Sequence, residues 1–184
     1  NLLAFFCLIN PKAKSKLNAG DECLIPSVCW STSLWPIVQS GLKPKFVDVD
    51  VNTLNMNLQD LEKKISKKTK AILVPNLIGN IPDWKKLKKI ARKNKLILIE
   101  DSADTLGAKI NNKPTGLYSD LSITSFYGSH VISCAGNGGM LLTNDKKLFA
   151  KSKVIRSWGR LSSLLKDSEN IKRRLNIKLK GFDY

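Results

Sequence analysis

Short apolar blocks and mixed polar blocks alternate along the chain, and the apolar blocks predict strands. Runs of about four to eight apolar or β-branched residues between polar residues are typical of strands buried on both faces. The predicted strands are residues 23–27, 45–49, 71–75, 95–99, 123–127 and 140–143.

Between these strands, apolar residues recur every three or four positions, which predicts amphipathic helices. Helices are expected at residues 1–10, at 31–40 with an end at Gly41, and at 58–66. A further helix begins after Asp83, and its apolar face comprises Trp84, Leu87, Ile90 and Ala91.

This strand–helix alternation predicts an α/β fold in which a mainly parallel sheet is sandwiched by helices. We expect residues 1–160 to form this unit. Residues 161–184 are polar and basic, and we place them outside the sheet as the start of a segment that leads to another domain. The chain begins without Met inside an apolar helix and stops at GFDY, so we expect it to be a fragment of a longer enzyme.

The composition is that of an ordinary globular protein of 184 residues, with 42% hydrophobic residues. No apolar run reaches the roughly 18 residues that a membrane helix needs. The first residues lack the basic region and cleavage site of a signal peptide. The four cysteines form no CxxC pair. We therefore predict reduced thiols, a cytoplasmic location, no metal site and no membrane partner.

The formal net charge of +16 raises the alternative of a basic nucleic-acid-binding module. The distribution of the lysines argues against it. They lie in KKISKKTK, KKLKKIARKNK and KRRLNIKLK beside apolar residues at helical spacing, without aromatic residues to stack on bases. Solvated helix faces explain the charge better, and we expect no nucleic-acid partner.

Candidate chemistry follows two of the predicted strands. Asp101 and Asp104 come after strand 95–99, and Ser125, Tyr127 and His130 lie in and after strand 123–127. Ligands of open parallel sheets bind beyond the carboxyl ends of the strands, so these side chains would meet at one rim if the two strands are neighbours. The alternative is structural: the carboxylates cap turns, and the histidine, the only one in the chain, packs beside the sheet.

The types of these side chains match the parts of one cofactor. A carboxylate at a strand end can pair with a cationic ring nitrogen. The Ser125 hydroxyl can donate to a phosphate, and the glycine-rich stretch 128–139 offers backbone amides. Together they outline a site for pyridoxal phosphate, a cofactor that the protein positions and tunes.

Four stretches carry a resemblance to a known family: GDECLIPSVCWSTSLWPIVQSGLKPKFVDVDVNTLNMN, NLIGNIPDW, LIEDSADTLGA and SDLSITSFYGSHVISCAGNGGMLLTND. In this order they resemble the DegT/DnrJ/EryC1/StrS sugar aminotransferases, fold type I enzymes that use pyridoxal 5′-phosphate. The resemblance implies the large cofactor-binding domain of that fold, a phosphate-binding turn and a small domain outside this chain, and a homodimer.

The resemblance also implies a role for each matching residue. Asp101 would pair with the pyridine nitrogen, and Asp104 would lie near the ring hydroxyl. Trp30 would stack on the ring, and Ser125 would bind the phosphate. His130 stands where most of the family has the lysine that holds the cofactor covalently, and no lysine occurs between Lys113 and Lys146.

A histidine at this position resembles one branch of the family, the 3-dehydratases of nucleotide-linked 4-keto-6-deoxyhexoses, which serve deoxysugar and lipopolysaccharide biosynthesis. Pyridoxamine 5′-phosphate would react with the C4 ketone, His130 would act as the base, and Tyr127 would assist by hydrogen bonding. Imidazole suits proton abstraction near neutral pH. The alternative within the family is an ordinary sugar aminotransferase.

The branch has two styles, and the residues favour one. Enzymes of this branch that carry an iron–sulfur cluster would have cysteines near the positions of Ala103, Leu161 and Ser163. None of these three positions holds a cysteine in this chain. We therefore expect the style that regenerates its cofactor with L-glutamate and releases a 3-deoxy ketosugar. Asn137 departs from the acidic residue that much of the family has in this position.

Overall fold

The strands pair into one six-stranded sheet and a small two-stranded sheet. This computed structural model describes residues 1–9, 16–164 and 170. The strands are β1 (Glu22–Pro26), β2 (Lys43–Val47), β3 (Thr69–Pro75), β4 (Ile97–Asp101), β5 (Lys109–Ile110), β6 (Lys113–Pro114), β7 (Leu121–Ser125) and β8 (Gly139–Leu142).

The helices lie between these strands and after them. They are α1 (Leu2–Leu8), α2 (Ser31–Gln39), α3 (Leu58–Lys64), α4 (Trp84–Lys93) and α5 (Lys146–Arg156). Short 3₁₀ turns are found at Leu77–Gly79, Thr115–Leu117 and Leu161–Leu164.

The large sheet has the strand order β2-β1-β3-β4-β7-β8. The first five strands are mutually parallel, and β8 pairs antiparallel with β7. Asp101 at the end of β4 is in register with Ile123 of β7, two residues before the end of that strand. The carboxyl ends of β4 and β7 therefore lie side by side.

Helices cover both faces of this sheet, and each face has its own apolar core. On one face α1, α2 and α5 bury Phe5, Ile37 and Leu148 against the strands. On the other face α3 and α4 bury Leu61 and Trp84. Strands buried on both faces have no polar side to show, which explains their near-continuous apolar sequences. The predicted α/β fold class is confirmed.

Local side chains define the helix ends. Asn57, Asp83 and Asp145 are the N-cap residues of α3, α4 and α5, and each accepts a hydrogen bond from a backbone amide of the first turn. Helix α2 ends as the sequence predicts, because Gly41 adopts a φ of 75°, a conformation open to glycine without steric cost.

The structure corrects several predicted boundaries. The strands expected at 45–49 and 123–127 begin and end two residues earlier, and the strand expected at 95–99 lies two residues later. A strand begins and ends where the neighbouring strand provides a backbone to pair with. Lys43, the first residue of β2, is in register with Glu22, the first residue of β1. As a result of these shifts, Asp101 and Ser125 are the last residues of their strands, and Tyr127 lies in the following loop.

Two elements were missed in the sequence. Helix α5 has a mixed polar pattern, and its place is decided by packing against α1, where Lys151 Nζ donates to Ile9 O at 2.7 Å. The β5–β6 hairpin has only two residues in each strand. Of the predicted segment 161–184, residues 161–164 form a 3₁₀ turn, and the remainder except residue 170 lies outside the described residues.

No helix in the described ranges is long and apolar enough to cross a membrane. Within the same residues no group of three or more His, Cys, Asp or Glu side chains is arranged to hold a metal ion. All four cysteines are free thiols, and burial raises the pKa of Cys7 to about 11.

Candidate active site

A cleft with two lobes opens at the carboxyl edge of the sheet, where ligands of such sheets bind. The larger lobe has a volume of about 650 Å³, and the smaller lobe has a volume of about 390 Å³. Both volumes fall in the range of small-molecule sites. Trp30 and His130 line both lobes and so form the boundary between them.

The six residues singled out in the sequence all line this cleft. Asp101 and Asp104 belong to the smaller lobe, and Ser125 and Tyr127 belong to the larger lobe. Trp30 is the N-cap residue of α2, and His130 lies in the loop after β7. The fold thus brings together residues that are up to 100 positions apart in the chain. Their individual roles remain predictions.

Asp101 is buried and held by three hydrogen bonds. Its Oδ2 accepts from Ser33 Oγ at 2.7 Å and from Asn1 Nδ2 at 2.6 Å. Its Oδ1 accepts from the backbone amide of Ala103 at 3.1 Å. Only 4% of the residue is exposed. A buried carboxylate held in this way presents a fixed negative charge to the smaller lobe.

The two ring nitrogens of His130 have different surroundings: one lies near a carboxylate, and the other is buried without a hydrogen-bond partner. Its Nε2 lies 3.9 Å from Asp104 Oδ1, whereas its Nδ1 is buried and has no hydrogen-bond partner. The ring of Tyr127 meets the imidazole edge to face, with 5.7 Å between the ring centroids. A buried nitrogen without a hydrogen-bond partner lowers the stability of a protein core, and such atoms are typical of sites that bind a ligand.

Trp30 and Ser125 also offer unused capacity to a ligand. The indole of Trp30 is 70% exposed, so its face is free to stack. Ser125 Oγ accepts from the Tyr127 amide at 3.2 Å, which leaves its own hydroxyl hydrogen free to donate.

Gly139 lies opposite Ser125, and a Cβ at this glycine would come within 2.9 Å of Thr124 O, so only glycine permits this close strand pairing.

No lysine lines either lobe among the residues that the structure describes. The histidine is therefore the basic side chain of the cleft. This distinguishes the site from one built to bind a cofactor covalently through a lysine amine.

A buried polar network surrounds Glu100, the residue before Asp101 in β4. Glu100 accepts from Asn76 Nδ2 at 2.9 Å and from Ser102 Oγ at 2.7 Å. Trp84 Nε1 donates to Asn76 Oδ1 at 2.9 Å. The network joins the ends of β3 and β4 to α4. The nearby amide of Ile78 donates to Asp104 Oδ2 at 3.2 Å, which ties the loop after β3 to the cleft.

Sequence reasoning missed several residues of the cleft, and Ser33 is the most important. The available signal was a hydroxyl in the first turn of a predicted helix, three residues after Trp30. Asn76 does not line the cleft but belongs to the buried network with Glu100, and it was also missed, although it directly follows a predicted strand. Trp35 lines the larger lobe and gave no signal that separates it from an ordinary core residue.

The sheet, its helices and a polar cleft at the strand ends define an α/β enzyme-like domain of the fold type I class. A sequence profile of the DegT/DnrJ/EryC1/StrS aminotransferase family matches residues 8–182. The chain belongs to this family.

Relatives within the family are similar over most of this chain. GDP-4-keto-6-deoxy-D-mannose 3-dehydratase of Escherichia coli O55:H7 is 37% identical over 170 residues, which is 92% of this chain and 43% of that protein. The chain therefore spans less than half the length of this relative.

Solved structures give the same picture. The E. coli GDP-4-keto-6-deoxy-D-mannose-3-dehydratase with bound hydrated PLP matches with a TM-score of 0.83 and 38% identity, covering 90% of this chain and 42% of that one. A GDP-4-keto-6-deoxymannose-3-dehydratase with a trapped PLP-glutamate geminal diamine matches with a TM-score of 0.83 and 36% identity, over the same shares.

Proposed function

We propose that this chain is the cofactor-binding part of an enzyme that removes the C3 hydroxyl of a nucleotide-linked 4-keto-6-deoxyhexose. The cofactor is pyridoxal 5′-phosphate in its pyridoxamine 5′-phosphate form, and the amino donor is L-glutamate. The pathway is deoxysugar biosynthesis for cell-surface polysaccharide. The observation that carries the proposal is His130, with an unpartnered Nδ1, in a cleft that no lysine lines among the described residues.

The residues of the cleft fit this cofactor. The fixed carboxylate of Asp101 suits a protonated pyridine nitrogen, and the exposed face of Trp30 suits an aromatic ring. The free hydroxyl hydrogen of Ser125 suits a phosphate oxygen. Asp101 lines the smaller lobe, Ser125 the larger lobe and Trp30 both, so a cofactor that spans the two lobes would contact all three.

When bound, pyridoxamine phosphate supplies an amino group that condenses with the C4 ketone and a ring that accepts electrons. With the cofactor held by Asp101, Trp30 and Ser125, His130 would accept a proton from its C4′ carbon, and the cofactor would supply the electron flow that lets the C3 hydroxyl leave. The base is the imidazole, the side chain that most often serves as a general base in enzymes. Asp104, at 3.9 Å, balances the positive charge that His130 gains.

Tyr127 supports the same step from the other lobe. Its ring packs edge to face against His130 and restricts the imidazole, and 55% of the residue is exposed at the cleft. Its hydroxyl is thus available to hydrogen-bond to the sugar.

Atom balance separates this reaction from amino transfer. Deoxygenation consumes one glutamate for each sugar and yields the 3-deoxy ketosugar, 2-oxoglutarate and ammonia. Amino transfer also yields 2-oxoglutarate, but the nitrogen stays on the sugar and no ammonia is released. Release of ammonia is therefore the discriminating observation.

The test uses the full-length gene product with L-glutamate, the cofactor and a GDP-linked 4-keto-6-deoxyhexose. Mass spectrometry of the sugar and enzymatic measurement of ammonia follow the two products. We expect a sugar that lacks one oxygen atom and an equal amount of ammonia. An aminosugar without ammonia would establish the aminotransferase alternative and contradict our proposal.

The same proposal includes a homodimer in the cytoplasm. Exposed apolar side chains on α1 and α2 support it: Trp35 is 57% exposed and Phe6 is 40% exposed. Light scattering on the full-length gene product measures the mass, and a monomer at working concentration would contradict the dimer.

A further inference from the structure

Ser33 is a buried polar residue in the first turn of α2. It is only 2% exposed, and its Oγ donates to Asp101 Oδ2 at 2.7 Å. The two residues are 68 positions apart in the chain. A hydroxyl that donates to a buried carboxylate makes a charge-assisted hydrogen bond, which is shorter and stronger than a neutral one.

The turn that carries Ser33 also carries Trp30. The backbone amide of Ser33 donates to Trp30 O at 2.9 Å, and Trp30 is the N-cap residue of α2. One hydrogen bond therefore connects the end of β4 to the turn that presents the indole. This bond therefore connects the Asp101 carboxylate in the smaller lobe to Trp30, which lines both lobes.

Rotation of the Asp101 carboxylate about its terminal torsion is soft, because such sp³–sp² torsions have broad preferences. The amide of Ala103 holds Oδ1, and Ser33 and Asn1 hold Oδ2. Donors on both oxygens fix the plane of the carboxylate. The first turn of α2 also directs the positive end of the helix dipole toward this charge.

We propose that Ser33 is a positioning residue for the cofactor. It fixes the Asp101 carboxylate relative to Trp30, so that Asp101 contacts the pyridine nitrogen while Trp30 contacts the face of the ring. This inference rests on the proposed function in that the cofactor is pyridoxal phosphate. Ser33 itself acts through Asp101 and Trp30.

The test compares three variants of the full-length gene product. Ser33→Ala removes the hydroxyl, and Ser33→Thr keeps it. Ser40→Ala is the matched control, because Ser40 is a buried serine just past the end of α2 whose Oγ donates to Pro36 O and makes no contact with Asp101. The readouts are the Kd for pyridoxal phosphate and the ¹⁵N chemical shift of the pyridine nitrogen in ¹⁵N-labelled cofactor.

We expect Ser33→Ala to weaken cofactor binding about tenfold, the effect of losing one hydrogen bond to a charged group. We also expect its ¹⁵N signal to move toward that of an unprotonated ring nitrogen. Ser33→Thr should restore both readouts, and Ser40→Ala should leave both unchanged.

The inference is overturned if Ser33→Ala behaves like Ser40→Ala, if Ser33→Thr behaves like Ser33→Ala, or if the wild-type protein binds no pyridoxal phosphate. Binding is measured without the nucleotide sugar. A protein that binds the cofactor but does not deoxygenate the sugar would therefore contradict the proposed function and leave the Ser33 comparison valid.

Discussion

Asp104 Oδ1 lies 3.9 Å from His130 Nε2, at the boundary between the two lobes of the cleft. The other carboxylate oxygen accepts from the Ile78 amide at 3.2 Å, so the loop after β3 holds Asp104 in place. At this separation the carboxylate attracts the imidazole once the ring has taken a proton.

Removing the negative charge of Asp104 should slow the proposed deoxygenation by the full-length gene product without disturbing the loop. An Asp104→Asn variant keeps an oxygen for the Ile78 amide but does not stabilise a protonated His130. We expect kcat to fall about two- to fivefold, the size of a partly exposed ion pair. Asp50→Asn is the matched control, because Asp50 is an exposed carboxylate outside the cleft. Equal kcat values for Asp104→Asn and Asp50→Asn would contradict a role for the contact between Asp104 and His130.

Replacing the proposed base should separate cofactor binding from chemistry. In His130→Asn, the proposed cofactor contacts of Asp101, Trp30 and Ser125 remain, so the Kd for pyridoxal phosphate should stay close to that of the wild type. The rate of deoxygenation should fall by about 10² to 10⁴, the usual contribution of a positioned general base. Near-full turnover by this variant would show that the histidine is structural.

A companion variant, His130→Lys, places an amine at the same position. We expect the cofactor to become resistant to dialysis and its absorbance to shift, because an amine can bind the aldehyde covalently whereas imidazole cannot. Cofactor that dialyses away from His130→Lys as readily as from the wild type would place residue 130 away from the aldehyde carbon.

The buried network around Glu100 should contribute to stability. Trp84 is fully buried, and Trp84→Phe removes the indole N–H that donates to Asn76 Oδ1. An acceptor left unpaired in the core costs about 1–3 kcal/mol, measured as the free energy of unfolding in urea. Trp158→Phe is the control, because Trp158 is 83% exposed and its change should cost less than about 0.5 kcal/mol.

Stability at low pH should depend on the N-cap of α5. Hydrogen bonds from Lys16 Nζ and from the amides of Leu148 and Lys147 lower the pKa of Asp145 below its ordinary value of 3.8. The folded state thus binds its proton less readily than the unfolded state. The contribution of Asp145 is present above about pH 4 and is lost as the pH falls through the lowered pKa.

The lowered pKa of Asp145 in the folded state predicts how the stability of Asp145→Asn depends on pH. The amide keeps an oxygen for the cap but cannot titrate, so the free energy of unfolding should fall less steeply between about pH 5 and 2 than in the wild type. Urea unfolding at a series of pH values measures the slope. A slope equal to that of the wild type would show that Asp145 does not titrate differently on unfolding.

The order of strands and helices was readable in the sequence because each apolar block must be buried wherever it lies. The same pattern placed Asp101 and Ser125 near the ends of two strands, and the structure shows that these strands are neighbours and brings both residues to one edge of the sheet. Helix ends at Gly41 and Asp83 were also readable, because local backbone and side-chain chemistry determines them.

Long-range contacts were decided only by the tertiary structure. The bond from Ser33 to Asp101 joins residues on different elements, and nothing near Ser33 in the sequence marks its partner. The exact ends of β2, β4 and β7 follow from pairing with adjacent strands, and α5 is placed by its packing against α1. Sequence patterns report which residues must be buried and which turns are allowed. The partner that satisfies each buried polar group depends on how distant segments meet, and only the folded chain determines that geometry.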